Sequence, residues 1–250
     1  MPKMGLTESA KRVTLFHQLR KNLNCIRRIA LCNPSYHRKL DDMTHASPLI
    51  ATMPTPLSNG MVVTRRTYGR GALIPTTPDL LLQVEEGVVA QVVIHSDGAE
   101  VLLGLHGPGQ LLTPHPADSC FLNLQAHTDV RLAIYSWQQA LQLPDLPARL
   151  RTRLWQQEAW AAMQARPYLD ERLLGVLTLL AEQFGRPDPQ GLLIDVRLTH
   201  AQLATAIGAT RTTVTRLLGT LRQRALLTTV GEGQEERFCL LNPSLAHHHP

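Results

Sequence analysis

Arginine at positions 211 and 216, with threonine at 212, 213 and 215, is a set of side chains that can read nucleic-acid bases. A guanidinium offers two parallel N–H groups that match O6 and N7 of guanine. Threonine offers a methyl to thymine or a hydroxyl to a phosphate. That chemistry requires both arginines on one outward face of a rigid element. With Arg211 at zero and a step of about 100° per residue, Thr215, Thr212 and Arg216 fall at roughly 40°, 100° and 140°. On the same wheel Val214, Leu217, Leu218 and Leu221 fall at roughly 240° to 340°. The string ATRTTVTRLLGTLRQRALL therefore predicts a helix with one apolar face and one Arg/Thr face. Gly219, near 80° on that wheel, leaves the next turn of the Arg/Thr face bare for close approach.

Threonine costs roughly half a kcal/mol against alanine in a helix interior. Several of them on a solvent face imply a demand from outside the helix. No Asp or Glu occurs from Val196 to Thr229, whereas Arg197, Arg211, Arg216, Arg222 and Arg224 all do. An ordinary solvated helix, the competing reading, would mix in Glu for i,i+4 pairs.

The preceding residues supply what such a helix needs. In LTHAQLATAIG, Thr199 and Gln202 form a T-x-x-Q capping box. Ala204 is small where a second helix must come close, Gly208 suits a left-handed chain reversal, and Thr210 can cap the next helix. Helix, tight turn and helix make a helix-turn-helix unit, whose second helix enters the major groove. LLTTVGEGQEERFCLL then reads as a hairpin, or wing. Its acidic tip would be repelled by phosphate, so deep insertion of the wing into DNA is not expected. The candidate DNA-binding residues are Thr199, Thr210, Arg211, Thr212, Thr213, Thr215 and Arg216, with double-stranded DNA as the partner.

Upstream, residues 58–145 change pattern. MVVTRRTY, LLLQVEEG, VVAQVVIH, EVLLGLHG and VRLAIYSW are Val/Ile/Leu-rich runs punctuated by Gly, Pro and Asp, the signature of a small antiparallel roll. Ser96-Asp97-Gly98 reads as a hairpin turn. Residues 146–168 switch to a helical period, with Leu146, Leu150, Leu154, Ala161 and Ala165 on a narrow stripe suited to a two-helix seam. Pro167 ends that helix. Asp170 is placed to cap a further one, ERLLGVLTLLAEQFG, with Leu173, Leu177, Leu180 and Phe184 on its buried face and RPDPQG closing it.

Residues 1–57 read as a separate basic block, a disordered tail and linker. Nine of the 25 Lys/Arg residues, and all four lysines, lie in the first 42 positions with only Glu8, Asp41 and Asp42. The net charge of +5 therefore comes from this block, and the body is near neutral. A nucleic-acid or membrane-surface arm is the alternative for the block, as is a start at Met43, Met53 or Met61. No apolar run approaches the roughly 20 residues of a membrane span, and no secretory leader is expected. Cys25, Cys32, Cys120 and Cys239 are scattered without a CxxC pair, which favours reduced thiols and a cytoplasmic protein.

LTHAQLATAIGATRTTVTRLLGTLRQRALL resembles the DNA-binding domain of the Crp/Fnr family of bacterial transcription regulators, and most nearly its NtcA-like nitrogen-regulator branch, in which an IG-x-TR-x-TVTRLLG-x-LR string is typical. PYLDERLLGVLTLLAEQFG is similar to the family's hinge and following helix. The resemblance is strong over residues 169–242, architectural over 60–165, and absent from 1–57. It implies an α+β chain: an N-terminal β-roll resembling a cyclic-nucleotide-binding domain, a long dimerisation helix (146–168), and a C-terminal winged helix-turn-helix (169–246). It implies a homodimer on a roughly palindromic operator, and RNA polymerase as a further partner of an activator. By position, Arg211 and Arg216 match the family's two base-reading arginines. Thr212 stands where the cyclic-AMP-responsive branch often has Glu, which points away from that branch's half-site.

The roll departs from its cyclic-nucleotide-binding relatives. GPGQLLTPHPADSCFLNLQAHTDVRL has neither the G-E motif nor the R-S or R-T pair that holds ribose and phosphate, and Arg131 lies beyond, in the last strand. A buried phosphate without Arg or a Gly-rich cradle would be badly solvated. No cofactor and no cyclic AMP binding are expected, and cations for a 2-oxoglutarate site are not evident; the effector is left open. His106, His115 and His127 lack the H-x-H, Glu and His order of a metal-binding cupin and read as surface or loop histidines. His247, His248 and His249 imply no metal function. No catalytic motif occurs, so an enzyme is not expected. Two alternatives stay open: a non-specific architectural DNA binder and a metal-dependent cupin-type enzyme with an appended DNA-binding domain. Competition with random DNA separates the first, and metal analysis the second.

Overall fold

The computed structural model describes residues 63–114, 120–231, 233 and 236–241. The expectations for the block 1–57, for His115 and for His247, His248 and His249 fall outside those residues.

Eight strands build the roll as two antiparallel four-stranded sheets. One sheet has the order β1 (Thr64–Tyr68), β8 (Val130–Ser136), β3 (Leu80–Glu86) and β6 (Leu111–Leu112). The other has the order β2 (Leu73–Ile74), β7 (Cys120–Ala126), β4 (Val89–His95) and β5 (Glu100–His106). Leu82, Val84, Leu112 and Leu132 of the first sheet meet Ile74, Val89, Leu124 and Ala126 of the second between the layers. The outer face of the first sheet is covered too: Leu81, Leu111, Ala133 and Tyr135 lie under Ala140, Leu143 and Leu146. Double coverage explains why the inner strands β3 and β8 are apolar over most of their length rather than strictly alternating, while the edge strand β1 is largely exposed.

The expected turn at Ser96-Asp97-Gly98 joins β4 to β5. Gly98 has φ +84°, and the Asp97 carboxylate accepts from Ala99 N at 2.9 Å. Gly87, between β3 and β4, has φ +78°, and a Cβ there would stand 2.0 Å from the Asp129 carbonyl oxygen. β7 was not expected, because its apolar residues merely alternate with polar ones after a Pro/Asp-rich stretch.

After a short capped turn, α1 (Trp137–Ala140), comes the central helix α2 (Leu146–Gln164). Its expected single stripe divides in two. Leu146, Arg153 and Trp160 are the buried positions, and Leu146 belongs to the roll core instead of the seam. Leu154, Ala161 and Ala165 remain exposed. The next helix, α3 (Leu169–Phe184), buries Leu173, Leu177 and Leu180 as expected. Asp170 is not its cap. Tyr168 occupies that position without a side-chain bond, and Asp170 lies inside the first turn. There its carboxylate favours the helix N-terminus electrostatically and accepts from Arg224 Nη1 at 3.4 Å.

RPDPQG does not simply close α3. Residues Gly185–Asp188 form β9, and Gly191–Ile194 form β10. With β11 (Leu227–Val230) and β12 (Arg237–Leu241) they make a sheet ordered β11-β12-β10-β9. Pro187 is tolerated because β9 is an edge strand that need not donate on both sides.

The helix-turn-helix consists of α4 (His200–Ile207) and α5 (Arg211–Gln223). One buried cluster runs from Val88, Ala90, Leu102 and Leu105 of the roll through Trp160, Leu173 and Leu177 to Leu203, Val214 and Leu218. The end of α2 is tied to α4: Gln164 Nε2 donates to the Ala206 carbonyl at 3.0 Å. Arg172 donates to the Arg166 and Ile207 carbonyls.

Candidate nucleic-acid interface

Both helices of the unit begin where their caps dictate. The Thr199 hydroxyl accepts from Gln202 N at 3.1 Å, and Gln202 Oε1 accepts from Thr199 N at 3.0 Å, closing the capping box. The chain then reverses at Gly208, at φ +67° and ψ +45°, a left-handed conformation that glycine adopts without a Cβ clash. Thr210 caps α5 by accepting from Thr213 N at 3.2 Å. Thr199→Ala is expected to lower stability by about 0.5–2 kcal/mol. A denaturant midpoint equal to the parent's would show that the cap is dispensable.

α5 is divided as its sequence predicts. Val214, Leu217, Leu218 and Leu221 are buried. Arg211, Thr212, Thr215 and Arg216 are exposed. The Arg211 and Arg216 guanidinium groups have no ion-pair or hydrogen-bond partner among the described residues. A Cβ built on Gly219 would meet nothing within 4 Å, so the next turn is open. A planar donor fork held on a helix and left unsatisfied can take a base edge or a phosphate.

The threonines differ in what they can still offer. Thr212 has no hydrogen bond from its side chain among the described residues. Thr213 is half-buried, and its hydroxyl bonds that of Thr210 at 2.9 Å. Thr215 donates back to the Arg211 carbonyl at 3.0 Å and lies 2.8 Å from His200 Nδ1. Its methyl is therefore its freer surface. The structure thus brings Arg211, Thr212, Thr215 and Arg216 together on one face. Thr199 and Thr210 are positioned primarily as caps, and Thr213 as the partner of the Thr210 cap.

The wing lies beside this face. Its tip residues Glu232, Gln234 and Glu235 fall outside the described residues, but Glu236 is 3.6 Å from Arg222 Nη2. An acidic wing that neutralises the last turn of α5 leaves positive charge concentrated at its first two turns.

A Crp-like helix-turn-helix domain profile matches residues 171–244. The chain is 32% identical over 190 residues to the global nitrogen regulator of Synechococcus elongatus, spanning 70% of this chain and 83% of that protein. The corresponding regulator of Synechocystis sp. is 33% identical over 198 residues, 72% of this chain and 88% of that one. This chain belongs to the Crp/Fnr family of transcription regulators. Within the family it falls in the branch of the nitrogen regulators. The fold agrees: FixK2 from Bradyrhizobium japonicum superposes with a TM-score of 0.61 at 19% identity, covering 75% of this chain and 96% of that one.

In this Crp/Fnr regulator the roll holds a cation that its own strands do not carry. Arg153 of α2 is 8% exposed. Its Nη1 donates to His106 Nδ1 at 2.8 Å, its Nη2 donates to Gln91 Oε1, and its Nε is unpartnered. No carboxylate pairs with it among the described residues. Burial pulls its pKa down to about 10. His106 Nε2 donates to Gln91 Oε1 at 3.1 Å. Burial, and then the Arg153 charge, hold that ring well below its usual pKa, so it is neutral. A buried guanidinium without a counter-charge is costly to maintain and would be relieved by an anion. Nothing local marks Arg153, because RLRTRLW reads as a solvated basic face.

Of the two described histidines expected at the surface or in loops, His106 is instead buried in a strand, and His127 lies in a loop as expected but makes structural bonds there. His106 is 4% exposed. His127 Nε2 donates to the Arg197 carbonyl at 2.7 Å, and its Nδ1 accepts from Gln202 Nε2 at 3.2 Å. His127 thereby ties the β7–β8 loop to the capping box of α4. Arg131 is engaged by Glu85 and Glu86.

Proposed function

We propose that the chain works as a homodimeric, site-specific transcription regulator that binds a roughly palindromic operator and is not an enzyme. The observation that carries this reading is the pair Arg211 and Arg216, exposed, unpaired and on one face of α5. The surface of α2 supports the dimer. Leu154 is 53% exposed, and Ala161 and Ala165 stand on the same open side. Such a stripe suits a second copy of the helix. Pairing there would set two recognition helices in successive major grooves, about 34 Å apart.

We assign residues 58–145 to the effector-like roll, 146–168 to dimerisation and 169–246 to DNA binding. The cytoplasm is the proposed location, and RNA polymerase is a further partner when the operator lies where activation is possible. Arg153 sits between roll and central helix. A small anion bound to it would alter the tilt of the paired helices and shift a two-state equilibrium between DNA-competent and incompetent dimers.

The test is selection of duplexes from a random library with the full chain, followed by footprinting and measurement of mass in solution. Twofold-related half-sites protected by a dimer are expected. Equal affinity for selected and random duplexes would favour the architectural reading and refute this one.

A further inference from the structure

Between the start of α4 and the wing lies a cavity of about 480 Å³, lined by Arg197, Thr199, His200, Arg211, Glu236 and Phe238. The guanidinium groups of Arg197 and Arg211 have no partner among the described residues. His200 is the third basic group of this cavity, and its geometry fixes how it can be used. Its Nδ1 is 2.8 Å from Thr215 Oγ1. That hydroxyl already gives its single proton to the Arg211 carbonyl, at 3.0 Å. With the Thr215 proton on the Arg211 carbonyl, the hydroxyl oxygen accepts from His200, and the tautomer this arrangement selects carries its proton on Nδ1. The ring also stacks on Phe238, with centroids 6.5 Å apart and planes at 24°. Only Nε2 is left to meet a ligand. In the neutral ring Nε2 presents a lone pair, which repels a phosphate oxygen. In the protonated ring it is a charged donor.

We propose that His200 grips a backbone phosphodiester of duplex DNA only in its protonated form, so that binding takes up a proton and strengthens as pH falls. This rests on the DNA-binding reading above and adds a regulated contact to it. Charge complementarity selects the occupant. Arg197, just before α4, and Arg211, opening α5, flank the ring with positive charge, and Arg197 is free to share the phosphate oxygens while Arg211 reaches the base edges. Among the described residues Glu236, from the wing, is the one acidic group lining the cavity, and it lies 3.6 Å from Arg222.

The sign follows from the same groups. Burial, then Arg222 and Arg211, hold the free ring below the ordinary histidine pKa of 6.5, with Glu236 acting in opposition. The free ring is therefore neutral at pH 7. A phosphate against Nε2 raises its pKa. Between the free and bound values, DNA binding takes up a proton, and affinity rises as pH falls. Above the bound value the contact is lost, and below the free value there is no further gain.

The experiment uses fluorescence anisotropy with the full chain at fixed ionic strength and two duplexes, one enriched from a random library and one of random sequence. The parent should gain about threefold to tenfold in affinity for both duplexes between about pH 8 and pH 6, because phosphate contacts are independent of sequence. His200→Gln should flatten most of that dependence. His200→Arg should bind at every pH near the parent's low-pH level. His127 and other titrating groups contribute equally to parent and variants and cancel in the difference. A His200→Gln variant with the parent's pH profile, or a His200→Arg variant that tracks the parent, overturns the proposal while leaving the DNA-binding reading intact. A parent that binds neither duplex at any pH overturns both.

Discussion

Arg216→Ala is expected to bind its selected operator about ten- to a hundredfold more weakly than the parent while unfolding at the same denaturant concentration. The two halves of that result have separate origins. Arg216 is exposed and its side chain makes no hydrogen bond or ion pair within the described residues, so its removal takes nothing from the folded core. A bidentate pair between guanidinium and guanine contributes about 1–3 kcal/mol of discrimination at one base pair. The loss should therefore concentrate in the selected duplex and largely spare a random one. Arg211→Ala should behave in the same way at a different base pair of the half-site. Arg216→Lys should recover charge but not the fork, restoring random-duplex affinity more than specificity. Unchanged specificity in both alanine variants would displace the recognition surface from this face of α5.

Two residues along the same helix the expected outcome inverts. Leu218 is fully buried and packs into the cluster that joins α5 to α3 and α4. Leu218→Ala should cost about 2–5 kcal/mol through lost burial and a residual cavity. That is a large share of the roughly 5–15 kcal/mol by which domains of this kind are stable. The denaturant midpoint should then fall, and any loss of DNA binding should come through unfolding and affect both duplexes equally. A midpoint within error of the parent's would mean that Leu218 is not tightly packed between α5, α3 and α4. The pair of results, specificity without stability at 216 and stability without specificity at 218, separates the two faces of one helix.

The DNA-binding half was legible because its rules are local. A capping box needs residues three apart, a left-handed reversal needs Gly208, and a recognition face needs the helical period at 211, 212, 215 and 216. All of these span a few residues. The roll strands β3, β4, β5 and β8 were equally visible, because two-sided burial made them apolar runs, whereas the largely exposed β1 showed only its β-branched and aromatic residues. What escaped was set by distant partners. β7 is seen to be a strand only once it lies between β2 and β4, and β9 and β10 only once β12 pairs with β10. Asp170 sits one step inside the helix rather than at its cap, a shift that composition does not resolve. Arg153 was invisible for the most physical of these reasons: an arginine among arginines on a helix reads as solvated until a histidine and a glutamine from two strands enclose it. His127 likewise became a tie only when the loop that carries it met the Arg197 carbonyl.

The shared apolar cluster has a consequence for anyone who would cut or recombine this protein. Val88, Ala90, Leu102 and Leu105 are covered by the helices that carry the reading head, so excising residues 169–246 as a stand-alone module would strip the strand side of its cover and leave a greasy scar on both pieces. Chimeras that transplant only the reading head onto another sensor would have to transplant that strip of the receiving sheet along with it.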